Sequence, residues 1–416
     1  MNKVRIGRVV IVGGGVAGST LAIYLARAGR DVLIVDRPLK LDLLVGESLL
    51  PPATTILQDL GIEEQVKACS TLKQGVAFVM RTGRVLLLNL QRLTGLSASY
   101  AYNVPRPRFD QLLRTRAQEV GVRVVQHAAR LKVEAGRVAL DDETLEACGL
   151  KEQPDLVIDA TGRARMFGRA LELPGIAGKR NDTCHFAHFE NVDLGVSLSG
   201  CAVITAMKTG WAWRIPLPDR MSVGVVQDTA HLTAYGSTPE ERLEQALRDD
   251  PIMAAAIREG RRLTSVRVYN NYQWRYERFR GPNWILVGDS AGFVDPTLSS
   301  GVLLSLQGAS GLAQALIADD VSSALTRWEA TYREHIATWQ ELVDSFYDGR
   351  LFAMIMQGED FARNNELLGP FNRHMERNVA GAVLGARTTH WYGKRLVRMI
   401  INHGLVRYQP GEWAIR

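Results

Sequence analysis

Four apolar residues, Val9-Val10-Ile11-Val12, run directly into Gly13-Gly14-Gly15-Val16-Ala17-Gly18. A β-branched run bounded by glycines reads as a buried strand. Ser19 to Ala28 then reads as a helix stopped by Gly29, and Asp31 to Asp36 as a second apolar strand ending in an acid. Strand, glycine turn, helix and strand in this order are the context in which GxGxxG signals a dinucleotide-binding unit. Gly13 permits the tight turn, Gly15 lets the backbone approach a pyrophosphate, and Gly18 lets helix and strand pack closely. The helix N-terminus offers N–H groups to the phosphates. Asp36, 18 residues after Gly18, is placed to accept from a ribose. Gly13, Gly15, Ala17, Gly18 and Asp36 are therefore cofactor-binding candidates. The turn alone does not separate NAD from FAD.

The rest of the chain is long enough for two or three structural units, with 416 residues, 46% of them hydrophobic. No apolar run reaches the length of a membrane span, and Met1 to Arg8 leads into a strand with no signal-peptide core. Cys69, Cys148, Cys184 and Cys201 have no CxxC spacing, which argues against a zinc site or disulfide framework, so no metal and a cytoplasmic location are expected. The net charge of +6 lies entirely in residues 371–416, where eight Lys/Arg face two Glu. That surplus reads as a solvated face or as a docking surface for an acidic partner such as a carrier protein, with Lys394, Arg395 and Arg398 as its candidates. No nucleic-acid partner is implied.

Three later segments favour a flavin. Arg106 precedes an amphipathic helix, Leu156 to Asp159 is a strand running into Thr161-Gly162, and Trp284 to Val287 is a strand running into Gly288-Asp289 and a helix start. A carboxylate at a strand end can accept from a ribityl hydroxyl, and a following helix N-terminus can face the flavin ring. Together they resemble the flavoprotein monooxygenases shaped like p-hydroxybenzoate hydroxylase, over roughly residues 8–330.

Within that family, further segments resemble the flavin-dependent halogenases. Gly46-Glu47-Ser48-Leu49-Leu50-Pro51 is similar to the GES-x-x-P stretch lying against their flavin. Lys73 falls where they carry a catalytic lysine. Trp211-Ala212-Trp213-Arg214-Ile215-Pro216 matches their WxWxIP signature. Asp295-Pro296-Thr297-Leu298-Ser299-Ser300-Gly301 covers their halide loop, which puts the halide at Ser300 and Gly301. Leu298 stands where tryptophan halogenases have a glutamate, so the resemblance is to the halogenases of phenols, pyrroles and carrier-bound aromatics. The resemblance implies an FAD-binding α/β fold, and halogenation of an electron-rich aromatic using FADH2, O2 and chloride or bromide. Hypohalous acid made at the flavin is delivered to Lys73. Lys73 acts either as an ammonium that polarises the acid or as an amine that takes the halogen. Trp211, Trp213, Ile215 and Pro216 keep substrate and flavin apart. Glu47, Ser48, Arg106, Gly288 and Asp289 join the cofactor-binding set. A separate NAD(P)H flavin reductase supplies the reduced flavin.

The alternatives are an aromatic hydroxylase, an isoprenoid double-bond reductase of the same fold, and a flavin protein without catalysis. The expected architecture is a discontinuous Rossmann-like FAD-binding domain (1–75, 100–185, 270–330), an inserted β-rich substrate domain (76–99, 186–269), and a helical region (331–416). Strands are expected at Gly75–Arg81, Ala202–Met207 and Met221–Gln227, and a helix over Trp328–Phe352. The tail aromatics Trp339, Phe346, Tyr347, Phe352, Phe361, Trp391 and Tyr392 read mostly as core.

Overall fold

In the computed structural model, which describes residues 7–38, 43–93, 98–364, 369–403 and 409–415, the run Val9–Val12 is the centre of a parallel sheet. Strand Arg8–Val12 lies between Leu156–Asp159 and Asp31–Asp36, with Trp284–Leu286 and Arg123–Gln126 outermost. Except at the edge strand Arg123–Gln126, both faces are covered, so these strands carry continuous apolar runs. Helix Val16–Arg27 packs on helix Ser300–Ile317, whose residues from Val302 to Leu316 fill the core above the sheet. By length and hydropathy this last helix matches a membrane span, but 67% of it is buried inside the protein, as befits a core helix.

A second, mostly antiparallel sheet has nine strands among the described residues. Its order is Gly292–Phe293, Arg267–Tyr276, Gly175–Glu190, Met221–Asp228, Trp211–Pro216, Cys201–Ala206, Gly75–Val79 and Val85–Asn89, with Arg261–Arg262 beside Gly175–Glu190. Three of these are the strands expected near residues 75, 202 and 221. The expected domain boundaries at 185/186 and 269/270 fall inside single unbroken strands, Gly175–Glu190 and Arg267–Tyr276. Sequence patterning marks strands but not which sheet they join.

The tail is helical. Helix Val321–Tyr347 ends at Asp348-Gly349, where Gly349 adopts φ +84°, and a second helix runs over Arg350–Asn364. The expected single helix over Trp328–Phe352 is thus two. Trp339, Phe346, Tyr347 and Phe352 are buried, whereas Trp391 is 69% exposed; the Phe361 side chain lies outside the described residues. The four cysteines are free, and among the described residues no cluster of His, Cys, Asp or Glu could hold a metal ion.

Candidate active site

The carboxyl ends of the parallel strands and the inner face of the large sheet enclose a cavity of about 610 Å³. Open α/β sheets bind ligands at this edge. The glycines divide the work there. A Cβ on Gly13, at φ +105°, would lie 2.4 Å from the Ala160 carbonyl, and one on Gly18 would lie 2.0 Å from the Gly13 carbonyl. A Cβ on Gly15 would meet nothing within 4 Å, because it would project into the cavity. The first N–H groups of helix Val16–Arg27 have no side-chain cap and are available to an anion.

Helix Arg106–Glu119 turns one row of charges toward this cavity. Arg106 pairs with Asp110 at 2.9 Å and donates to the Val45 carbonyl, while Arg114 pairs with Asp36 at 2.6 Å. The i, i+4, i+8 spacing of Arg106, Asp110 and Arg114 puts all three on one face. Only Arg106 is evident from the resemblance; the spacing was the available signal for Arg114. Asp36 therefore meets a cation at the cavity wall.

At the other end, Glu47, Ser48, Arg106, Asp289, Trp211, Trp213, Ile215 and Gly301 line the cavity together. Glu47 is buried and shares a hydrogen bond of 2.9 Å with His188 of the large sheet. Nothing in the sequence around His188 signals this, since it depends on how the sheet sits over the loop. Asp289 is pushed up to about 6 by burial, against the pull of Arg163 and Arg106. Arg163 lines the cavity with its guanidinium 4.0 Å from the Tyr269 ring centroid. Trp213 fits under the sheet only because its neighbour is Gly224, whose Cβ would lie 2.4 Å from the indole. Its Nε1 donates to Ser222 Oγ. Pro216 ends this strand outside the cavity lining, as do Gly18 and Gly288 on the other side.

Gly288-Asp289 begins only one 3-10 turn, Gly288–Ser290, and not the helix expected there. Short strand Gly292–Phe293 intervenes, and Pro296 starts a second 3-10 turn capped by Asp295. The helix whose N-terminus reaches the cavity begins at Ser300. Ser299 before it is left-handed (φ 55°, ψ 27°), an uncommon conformation for a residue with a Cβ. The Ser300 hydroxyl is completely buried and without a hydrogen-bond partner, and a Cβ on Gly301 would meet nothing within 4 Å. An unpartnered buried donor at a helix N-terminus suits a small anion. Leu298 is buried beside it.

Lys73 is outside the cavity lining. It ends strand Thr71–Lys73, is fully buried, and donates from Nζ to the Leu49 carbonyl at 2.8 Å. Glu47 and Ser48 face the cavity while Leu49 takes the amine, so the Glu47–Leu49 segment separates Lys73 from the cavity. Among the described residues no carboxylate pairs with Lys73, and burial holds its ammonium down to about 7.

The tryptophan halogenase family model matches residues 8–85 and 79–350. The chain belongs to this family. It is a flavin-dependent halogenase, using FAD and halide. Over 374 residues it is 28% identical to the 1H-pyrrole-2-carbonyl-(peptidyl-carrier protein) chlorinase of Pseudomonas fluorescens, spanning 82% of this chain and 83% of that one. Over 366 residues it is 30% identical to the tryptophan 2-halogenase of Chondromyces crocatus, spanning 82% and 68%. The flavin-dependent brominase Bmp2 shares the fold, with a TM-score of 0.75 at 21% identity over 96% of this chain and 98% of that one. The cradle fits the family's cofactor: an open Gly15 at a free helix N-terminus, a strand-end carboxylate at Asp36, and a cavity continuing to Asp289 and the tryptophans.

Proposed function

We propose that this halogenase acts on a phenol or pyrrole, free or tethered to a carrier protein, and that Lys73 hands the halogen to it. The observation that carries this reading is a fully buried lysine with no carboxylate partner among the described residues, one peptide segment behind the flavin cavity. A buried ammonium is costly, and burial without pairing is a hallmark of functional lysines. Bound FADH2 with O2 supplies the two-electron oxidation that turns halide into hypohalous acid. Ser300 Oγ–H and the Gly301 N–H hold the halide. Gly13, Gly15, Ala17, Gly18, Asp36, Glu47, Ser48, Arg106, Gly288 and Asp289 hold or shape the site of the cofactor. Trp211 and Trp213, with Ile215 and Pro216 completing their strand, wall off organic substrate from it.

At Lys73 the neutral amine takes the halogen from hypohalous acid, forming N–X and releasing water. The aromatic carbon then attacks the halogen, the N–X pair returns to nitrogen, and the ring proton leaves. A pKa near 7 keeps much of the lysine as free amine. Leu298, in place of a carboxylate beside the halide loop, favours an electron-rich ring, and one relative is named as a chlorinase of a carrier-bound pyrrole. Two of the three tail cations considered for the carrier's landing site, Lys394 and Arg398 but not Arg395, are already engaged within the chain, which weakens that reading. Lys394 is paired with Glu334, and Arg398 holds Glu341 through two bonds of 2.6 Å. A separate NAD(P)H flavin reductase delivers the reduced flavin.

The test supplies FAD, a flavin reductase, NADH, O2 and bromide with three substrates: phloroglucinol, a pyrrole-2-carbonyl carrier protein, and tryptophan. Halogenated phenol or pyrrole from the wild type and none from Lys73→Ala is expected. Product from tryptophan alone, or product unchanged in Lys73→Ala, refutes the proposal.

A further inference from the structure

A buried hydrogen-bond chain joins the two segments that face the flavin end of the cavity, and its middle member comes from the tail. Trp211 Nε1 donates to Tyr347 Oη at 3.0 Å, and Tyr347 Oη donates to Asp295 Oδ2 at 2.9 Å. The other oxygen of Asp295 accepts from the Thr297 N–H at 2.9 Å and from the Thr297 hydroxyl. Gln273 Nε2 reaches Asp295 Oδ2 at 3.4 Å. Tyr347 is itself clamped: the Arg180 guanidinium lies 4.1 Å from its ring centroid and pairs with buried Asp182. Burial and these two carboxylates raise the Tyr347 phenol well above its ordinary range, so it remains a donor.

Asp295 starts the turn that ends in left-handed Ser299, directly before Ser300 and Gly301. A left-handed non-glycine residue persists only where its surroundings hold it. We infer that Tyr347 is a positioning residue for the halide loop: through Asp295 it fixes the Ser299 corner that presents Ser300 and Gly301, and through Trp211 it fixes that corner's distance from the tryptophan wall. The tail thereby takes part in halide binding, although it contributes no group to the halide itself. The inference rests on the assignment of the halide to Ser300 and Gly301.

The test is bromide titration of the oxidised, FAD-loaded protein, followed by the flavin absorbance change, in wild type, Ser300→Ala, Tyr347→Phe and Asp295→Asn. Steady-state turnover is measured alongside. Tyr347→Phe keeps the ring and its packing, so flavin affinity is expected within twofold of wild type. Its bromide dissociation constant is expected to rise about tenfold, with the KM for bromide rising in step and kcat recovered at saturating bromide. Asp295→Asn, whose single amide oxygen cannot serve both the phenol and Thr297, should rise at least as much. If Ser300→Ala weakens bromide binding but Tyr347→Phe and Asp295→Asn do not, the positioning role is wrong. If Ser300→Ala has no effect either, the halide assignment fails first. Equal loss of flavin and bromide binding in Tyr347→Phe and in Asp295→Asn would show a general structural role and overturn the inference.

Discussion

Replacing Lys73 by Met should abolish halogenation and make the protein more stable. Methionine keeps the unbranched shape of the side chain and removes the amine. In the folded protein burial lowers the Lys73 pKa from 10.5 to about 7. Between those values the unfolded chain binds a proton that the folded chain does not, so stability rises with pH across this window. At about 1.36 kcal/mol per pH unit, holding the lysine inside costs roughly 4–5 kcal/mol at pH 7 and about 2 kcal/mol at pH 9. Methionine removes that cost but leaves the Leu49 carbonyl without its donor, a loss of about 1 kcal/mol. The net expectation is a variant about 3–4 kcal/mol more stable at pH 7, shrinking to about 1 kcal/mol at pH 9. Denaturant titrations of both proteins at pH 6, 7, 8 and 9, with product analysis by mass spectrometry, read this directly. A stability difference that does not change with pH, or a methionine variant less stable at pH 7, would refute the reasoning.

Other outcomes follow from the same geometry. Halogen transfer measured with preformed hypohalous acid should increase from pH 6 to pH 8 as Lys73 loses its proton near 7, and a decrease would instead assign the work to the ammonium. Gly15→Val should fold normally by circular dichroism yet lower FAD affinity more than tenfold, because its side chain projects into open cavity; Gly18→Ala should fail to fold well, because its Cβ meets the Gly13 carbonyl. Gly224→Ala should unseat the Trp213 indole, detected as altered tryptophan fluorescence and a larger share of hydroxylated or unhalogenated product. Reversing Arg398 should change activity on a carrier-bound substrate by less than threefold and stability by about 1 kcal/mol or less, as expected of an exposed pair; a tenfold loss would restore the tail as a docking surface.

The fold's first layer was legible because it is local. Val9–Val12, Gly13, Gly18 and Asp36 specify a strand, a turn and a strand end through neighbours close in sequence. Trp211–Pro216 stood out through its match to a family signature, and its strand was not among those expected from patterning. What sequence could not give is partnership across sheets and helices. His188 meets Glu47, 141 residues away, because one strand of the large sheet happens to cross the loop. Tyr347 meets Asp295 across 52 residues, where helical spacing identified a core aromatic and nothing more. The mistaken helix after Asp289 has a simple cause: a strand running into Gly-Asp reads as a helix start, but Asp295-Pro296 recaps the chain and delays the helix to Ser300. Lys394 and Arg398 looked free because their glutamates lie on a different helix.

Strand Gly175–Glu190 carries a mechanical consequence. Its first residues pair with Trp274–Tyr276, adjoining the strand next to the halide loop, and its last pair with Met221 and Arg262 at the far side of the large sheet. At about 3.3 Å per residue its sixteen residues would span about 50 Å, with a register shift between Ala177 and Asn181 that bends it near its start. All its strand partners belong to the large sheet, so it ties the strand beside the halide loop to strand Met221–Asp228 within one layer. A fluorescent pair placed at the two ends of this strand should therefore report a constant separation through the whole turnover cycle.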